Sequence, residues 1–199
     1  VSRQKVYGLQ TTTPAEVLAI SLDVVKRHLS LGMRQEHDDF LRDQIIPTAI
    51  AEYESDAGRQ LITASLTLTR DRFPRYRRAL LLPKPPLQSV TSITYLDTSG
   101  DETEMDQDDY IINIAKEPGE IQPVVGVAWP STYNQSGAVV IEYVAGYGDE
   151  AVNIPPQVQH ALLEKCRVLF ERKDDAQAIS LGHPLLDRTY AGDEWCDYG

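Results

Sequence analysis

Hydrophobic and polar positions follow three periodicities in succession along the chain. Leu22, Val25 and Leu29 recur at helical spacing behind an N-cap residue at Ser21, with Gly32 available to close the turn, so a helix is expected over 22–30. Thr13-Pro14-Ala15-Glu16 has the form of a capping box with Pro at the first helical position, an alternative start eight residues earlier. From Asp38 to Ala57, the residues Leu41, Ile45, Ala49 and Tyr53, flanked by Ile46, Ile50 and Ala57, form a wide apolar stripe ending at Gly58. This predicts a long helix, and Pro47 inside it should remove one backbone hydrogen bond and bend it.

At Ile62 the period changes to two. Ile62, Ala64, Leu66 and Leu68 alternate with Thr63, Ser65, Thr67 and Thr69, as in a half-buried strand. Further strands are expected at 79–82, 89–96, 110–114 and 138–144. Thr98-Ser99-Gly100-Asp101 reads as a hairpin turn, and Glu117-Pro118-Gly119-Glu120 places Pro and Gly as a type II turn needs them. After a loop at Gly146-Tyr147-Gly148, Pro155-Pro156 opens a last helix running to Lys173, with Val158, Leu162, Cys166 and Leu169 on one side. The order of helices, strands and helix predicts an α+β fold: a small α-helical bundle with an inserted antiparallel β domain and an extended C-terminal tail. The expected division is 1–61 helical, 62–148 the β insertion, 149–175 the helix completing the bundle, and 176–199 the tail.

Composition narrows the function classes. The 199 residues are 42% hydrophobic and 25% charged, which suits one globular unit and excludes disorder and repeat arrays. Thirty acidic against nineteen basic residues give a formal charge of -11, which argues against gripping nucleic acid by phosphate neutralisation. No stretch is apolar for the length a membrane helix needs, the first residues lack a signal-peptide layout, and Cys166 and Cys196 make no framework. The expectations are a protein made and kept in the cytosol, with reduced thiols and no membrane partner.

Catalytic signatures are missing. There is no HExxH, GxxxxGK, CxxC or GxSxG, and no metal or cofactor is expected. The acidic doublets Asp38-Asp39, Asp108-Asp109 and Asp174-Asp175 would serve a metal-dependent hydrolase or nuclease only if they converged in space. His28, His37, His160 and His183 have no zinc-like spacing and read as surface groups, while Cys166 reads as a core thiol. A ligand groove lined by Trp129, Tyr133 and Tyr143 is a further alternative, against which Trp129 beside Pro130 reads as a core plug beneath a loop. Charge is nonetheless segregated. Arg70, Arg72, Arg75, Arg77 and Arg78 fall within nine residues, and Asp97, Asp101, Glu102, Glu104, Asp106, Asp108 and Asp109 fall within thirteen that hold no basic residue. Two unlike patches of this kind suit head-to-tail contacts between copies of one chain.

Four stretches together resemble the head-tail connector proteins (adaptor or head-completion proteins) of long-tailed bacteriophages and phage-like particles. They are Ala51-Glu52-Tyr53-Glu54-Ser55-Asp56-Ala57-Gly58-Arg59-Gln60-Leu61 running into a Thr-rich strand; Leu81-Leu82-Pro83-Lys84-Pro85-Pro86-Leu87-Gln88-Ser89-Val90 followed by Ile93-Thr94-Tyr95-Leu96-Asp97; Asp109-Tyr110 with Glu117-Pro118-Gly119 and Trp129-Pro130; and Ile141-Glu142-Tyr143-Val144-Ala145-Gly146-Tyr147-Gly148 with Ile154-Pro155-Pro156. They span about residues 20 to 175; the first dozen residues and those after Asp175 match nothing in the family.

The resemblance implies a structural virion protein without catalytic residues. Such proteins form a homo-oligomeric ring of about twelve copies between the portal protein and the stopper or tail-completion protein. The ring surrounds part of the channel through which double-stranded DNA passes without sequence-specific binding. Net acidity is compatible with a conduit, since firm phosphate contacts would slow passage. The same resemblance suggests that a C-terminal segment reaches the portal, and Leu185, Leu186, Tyr190, Trp195 and Tyr198 supply apolar and aromatic groups there. Another ring protein of the neck, a stopper or tail terminator, is the alternative; those are dominated by β-barrels, which the long helices oppose.

Overall fold

The alternation that begins at Ile62 builds the first inner strand of the larger sheet. The computed structural model describes residues 7–14, 17–76 and 78–179. Within them Ala64, Leu66 and Leu68 point inward from β2 (Ala64–Arg70), and Ile62 is buried just ahead of it. β2 lies between β1 (Tyr7–Thr13) and β8 (Val139–Ala145). β8 pairs on its other side with β4 (Leu87–Leu96), and β4 with β5 (Glu102–Glu104), giving the antiparallel order β1-β2-β8-β4-β5. A smaller antiparallel sheet has the order β3-β7-β6, from Leu80–Leu81, Glu120–Pro123 and Tyr110–Asn113. Leu66, Leu68, Ile93, Ile141 and Tyr143 of the large sheet meet Leu80, Tyr110 and Ile121 of the small one in one apolar core. The expected α+β class is what the chain adopts.

A second core lies among the helices. Val25 of α1 (Leu22–His28) packs with Leu41, Ile45, Ile46 and Ala49 of α2 (residues 38–56) and with Leu162 and Cys166 of α3 (Pro156–Ile179). The stripes read from the sequence are the ones buried. α2 consists of Asp38–Phe40, a π-helical stretch Leu41–Ile45 and the α-helical Ile46–Asp56. Pro47 sits in the first turn of that last piece. It has no N–H to offer the carbonyl four residues before it, and its ring crowds that carbonyl, so the disruption expected at Pro47 takes the form of a widened turn immediately upstream. No helix among the described residues is long and apolar enough to cross a membrane.

Four expectations need correction. The described residues before α1 are not helical: Tyr7–Thr13 forms β1, and the capping-box reading at Thr13 fails because Thr13 closes that strand while the helix begins at Leu22. β5 and β7 were not foreseen; Glu-Thr-Glu and Glu-Ile-Gln-Pro carry too little apolar alternation to register as strands. Gly119 does not take the positive φ of a type II turn. Its role is close approach, because a Cβ there would fall 2.5 Å from the Leu87 Cβ. Finally, α3 runs on to Ile179, so residues 176–179, expected in an extended tail, belong to the helix.

Candidate functional site

The basic segment is a loop that leaves the end of β2 and is fastened along its length. Asp71 accepts hydrogen bonds from the Gly137 N–H at 3.0 Å and the Ser136 hydroxyl at 2.9 Å, tying it to the approach to β8. Those bonds, chiefly the Gly137 N–H, hold the Asp71 carboxyl below the usual carboxylate range. Phe73 is buried and stacks on Trp129 with ring centroids 4.7 Å apart, and the Trp129 indole N–H donates to the Arg78 carbonyl at 2.9 Å. Between these anchors Arg72, Arg75 and Arg78 are exposed, and Tyr76 is 89% exposed at φ +58°. Arg70 is half-buried at the end of β2, and Arg77 lies outside the described residues.

The acidic segment is a second fixed structure. The Asp97 carboxylate accepts from the N–H groups of Ser99 (2.7 Å) and Asp101 (3.1 Å), closing the predicted hairpin turn between β4 and β5. Asp106 caps a 3-10 turn over Gln107–Asp109 by accepting from the Asp108 N–H at 3.0 Å. Met105 is buried beneath, while Asp101, Glu102, Glu104, Asp106 and Asp108 are exposed. Burial raises the Tyr110 phenol above its ordinary range, and the charges of Glu104 and Asp106 add to this.

Register relates the two segments. β2 and β4 both run antiparallel to β8, with Arg70 and Tyr95 each paired to Val139. The basic loop after β2 and the acidic turn after β4 therefore leave the same end of the sheet. Only β8 separates their strands, so they lie about 10 Å apart at ordinary strand spacing.

A third cluster, missed in the sequence, joins the two cores. Half-buried Glu54 near the end of α2 accepts from the Leu61 N–H at 2.9 Å and the Gln60 side-chain amide at 3.0 Å. Lys84 donates to the Glu54 carbonyl at 3.0 Å, and Arg59 bonds both Glu117 and, at 2.9 Å, the Tyr147 hydroxyl. Burial raises the Glu54 carboxyl and lowers the Lys84 ammonium, each resisted by the charge of the other. The only signal was a charged residue at the end of an apolar stripe, which cannot be told from surface charge without the loop that covers it.

The remaining candidates are placed as follows. Asp38 pairs with Lys26 at 2.6 Å and Asp39 with Arg42 at 3.2 Å, remote in the fold from Asp108 and Asp109. Among the described residues no group of three His, Cys, Asp or Glu could hold a metal ion. His160 is exposed, as expected of a surface group, whereas His28 is half-buried between α1 and α3, meeting Glu164 at 3.2 Å and the His160 ring edge-on at 6.4 Å. Cys166 is fully buried, and burial pushes its thiol up to about 11, away from nucleophilic use. Tyr143 is 1% exposed and donates to the Pro83 carbonyl at 2.8 Å, so the groove of Trp129, Tyr133 and Tyr143 does not exist. Leu185, Leu186, Tyr190, Trp195 and Tyr198 lie outside the described residues.

No family model matches the sequence, and no curated protein matches it. Solved structures do. A chain in the virion of a native gene transfer agent particle aligns at TM-score 0.65 and 22% identity, covering 93% of this chain and 89% of that one. A chain in the neck of an empty gene transfer agent particle, treated with C6 symmetry, aligns at 0.65 and 22%, covering 93% and 88%. One in the neck of the native particle, treated with C12 symmetry, aligns at 0.61 and 22%, covering 94% and 88%. At that identity the likeness is one of fold, and it extends over nearly the whole of both chains: the α+β architecture described above is shared with a component of gene transfer agent particles.

Proposed function

We propose that this chain is a structural protein of the neck of a phage-like particle, a head-tail connector that assembles as a ring between portal and stopper or tail-completion protein. The observation that carries this reading is the near-complete fold match to chains of gene transfer agent particles, two of them from necks treated with C6 or C12 symmetry. The paired unlike charges at one end of the sheet support head-to-tail contacts, because heterologous contacts need two different surfaces, and the C12 treatment of one of those necks supports about twelve copies. The net charge of -11 suits a wall that double-stranded DNA slides past without being held. Catalysis has no place in the proposal.

Mixing the protein with its portal and imaging by negative stain should add an annular layer at the narrow end of the portal; no added density would count against the connector role. The segment carrying Leu185, Leu186, Tyr190, Trp195 and Tyr198 is proposed as the portal-facing element. Removing residues 184–199 should leave the circular dichroism melt within a degree or two of wild type. Portal capture in a pull-down should be lost, and capture that persists would reject this assignment. The charged loops are proposed to meet across subunits. Arg72→Glu with Arg75→Glu should lower the mean oligomer mass at low salt by mass photometry, with the difference fading as salt rises. An unchanged mass at low salt would sink that contact.

A further inference from the structure

β1 and β5 are the two edges of the large sheet, and among the described residues no strand lies beyond either. An open edge presents unpaired backbone N–H and C=O groups, and native proteins blunt such edges with charge, proline or brevity. β5 is three residues long with two glutamates, which guards it against another β5 but leaves its backbone open to an uncharged strand. β1 has none of these, and its one irregularity is a shift of register between Thr11 and Thr13 near its end. Tyr-Gly-Leu-Gln-Thr-Thr-Thr runs seven residues without a charge or a proline, and Gly8 and Gln10 to Thr13 are exposed. Such an edge suits a surface that is covered in the assembled state.

The occupant is indicated by direction, level and charge. β1, β8 and β5 run one way while β2 and β4 run the other, so a second copy in the same orientation brings its β1 beside β5 as a parallel continuation of the sheet. Gly8, Thr69, Val140, Thr94 and Glu104 form one transverse row, which sets the two edges level. The acidic turn of one copy would then stand about two strand spacings, roughly 10 Å, from the basic loop of the next, as it does from its own. Charge would alternate along that rim. Pairing β5 with another β5 would instead set glutamate against glutamate.

We propose that β1 of one copy adds to β5 of the next as the repeating contact of the oligomer. This rests on the ring reading above and names the contact it requires. Two different edges repeat without saturating, which closes a ring where the rotation allows.

The test is a disulfide trap. Gly8→Cys and Glu104→Cys are combined in one chain carrying Cys196→Ser. The new side chain at Gly8 is tolerated, since a Cβ there meets only the Thr69 Cβ at 3.8 Å. Mild oxidation with copper phenanthroline should give a non-reducing gel ladder of trimers and higher species, collapsed by dithiothreitol. Monomers alone, or dimers alone, would overturn the contact. Wild type is imaged in parallel: annuli without a ladder remove the edge contact and leave the ring standing, whereas neither annuli nor ladder removes both.

Discussion

Gly146→Ala is expected to destabilise the fold by about 3–5 kcal/mol, the largest effect of any substitution considered for this chain. Gly146 follows β8 at φ +132°, a conformation essentially closed to residues with a side chain. The added Cβ would fall 2.6 Å from the Ile62 carbonyl carbon and 2.6 Å from the Thr63 nitrogen, backbone atoms that cannot swing aside. Gly146 also stands where the two cores join. Its N–H donates to the Pro86 carbonyl at 2.9 Å, its carbonyl accepts from the Gln88 side chain at 2.8 Å, and the next N–H, from Tyr147, donates to Leu61 at 2.9 Å. Urea titration should show the midpoint falling by about 2 M with little change in slope. Gly32→Ala is the control: φ is +61° and nothing lies within 4 Å of the new carbon, so only the left-handed backbone cost of about 1–2 kcal/mol applies. Equal losses at the two positions would refute the crowding at Gly146.

Glu54→Ala should cost about 2–3 kcal/mol, because the N–H of fully buried Leu61 and the side-chain amide of buried Gln60 lose their shared acceptor. Glu54→Gln keeps an acceptor oxygen and should recover most of that loss. The pH dependence has a definite sign. Burial raises Glu54 in the folded state, so the folded chain binds this proton more readily than the unfolded one. Its favourable contribution is therefore complete below the unfolded carboxylate range and fades as pH rises through the elevated value. Stability of wild type relative to Glu54→Gln should shift towards wild type between about pH 7 and about pH 4, measured by urea midpoints at each pH. A shift the other way would show that Glu54 is held ionised by its partners.

Much of the fold is legible in the sequence because its inner elements have one wet face and one dry face. Leu66 and Leu68 alternate with Thr67 and Thr69 as a half-buried strand requires, and Leu41, Ile45 and Ala49 mark the inner side of α2. Edges and short strands escape because they bury little. β1 carries a single aliphatic side chain, Leu9, and β5 carries none, so neither has a period to detect. The charged loops were visible as runs in the sequence, but their common end of the sheet was not. That placement depends on β2 and β4 both pairing with β8, a strand some seventy residues after the first and forty after the second. The cluster at Glu54, Lys84, Arg59 and Tyr147 joins four separate stretches, and no local pattern encodes such a meeting.

β8 lies at the middle of the large sheet, yet it is the last of the strands to leave the ribosome. Until residue 145 has emerged, β1 with β2 and β4 with β5 are two half-sheets with bare inner borders, one carrying Leu66 and Leu68 and the other Leu87, Val90 and Ile93. Co-translational folding therefore cannot proceed strand by strand from the N-terminus. The nascent chain must carry both halves unjoined until the final strand slides between them, and over that interval its unpaired borders are open to pairing with other chains.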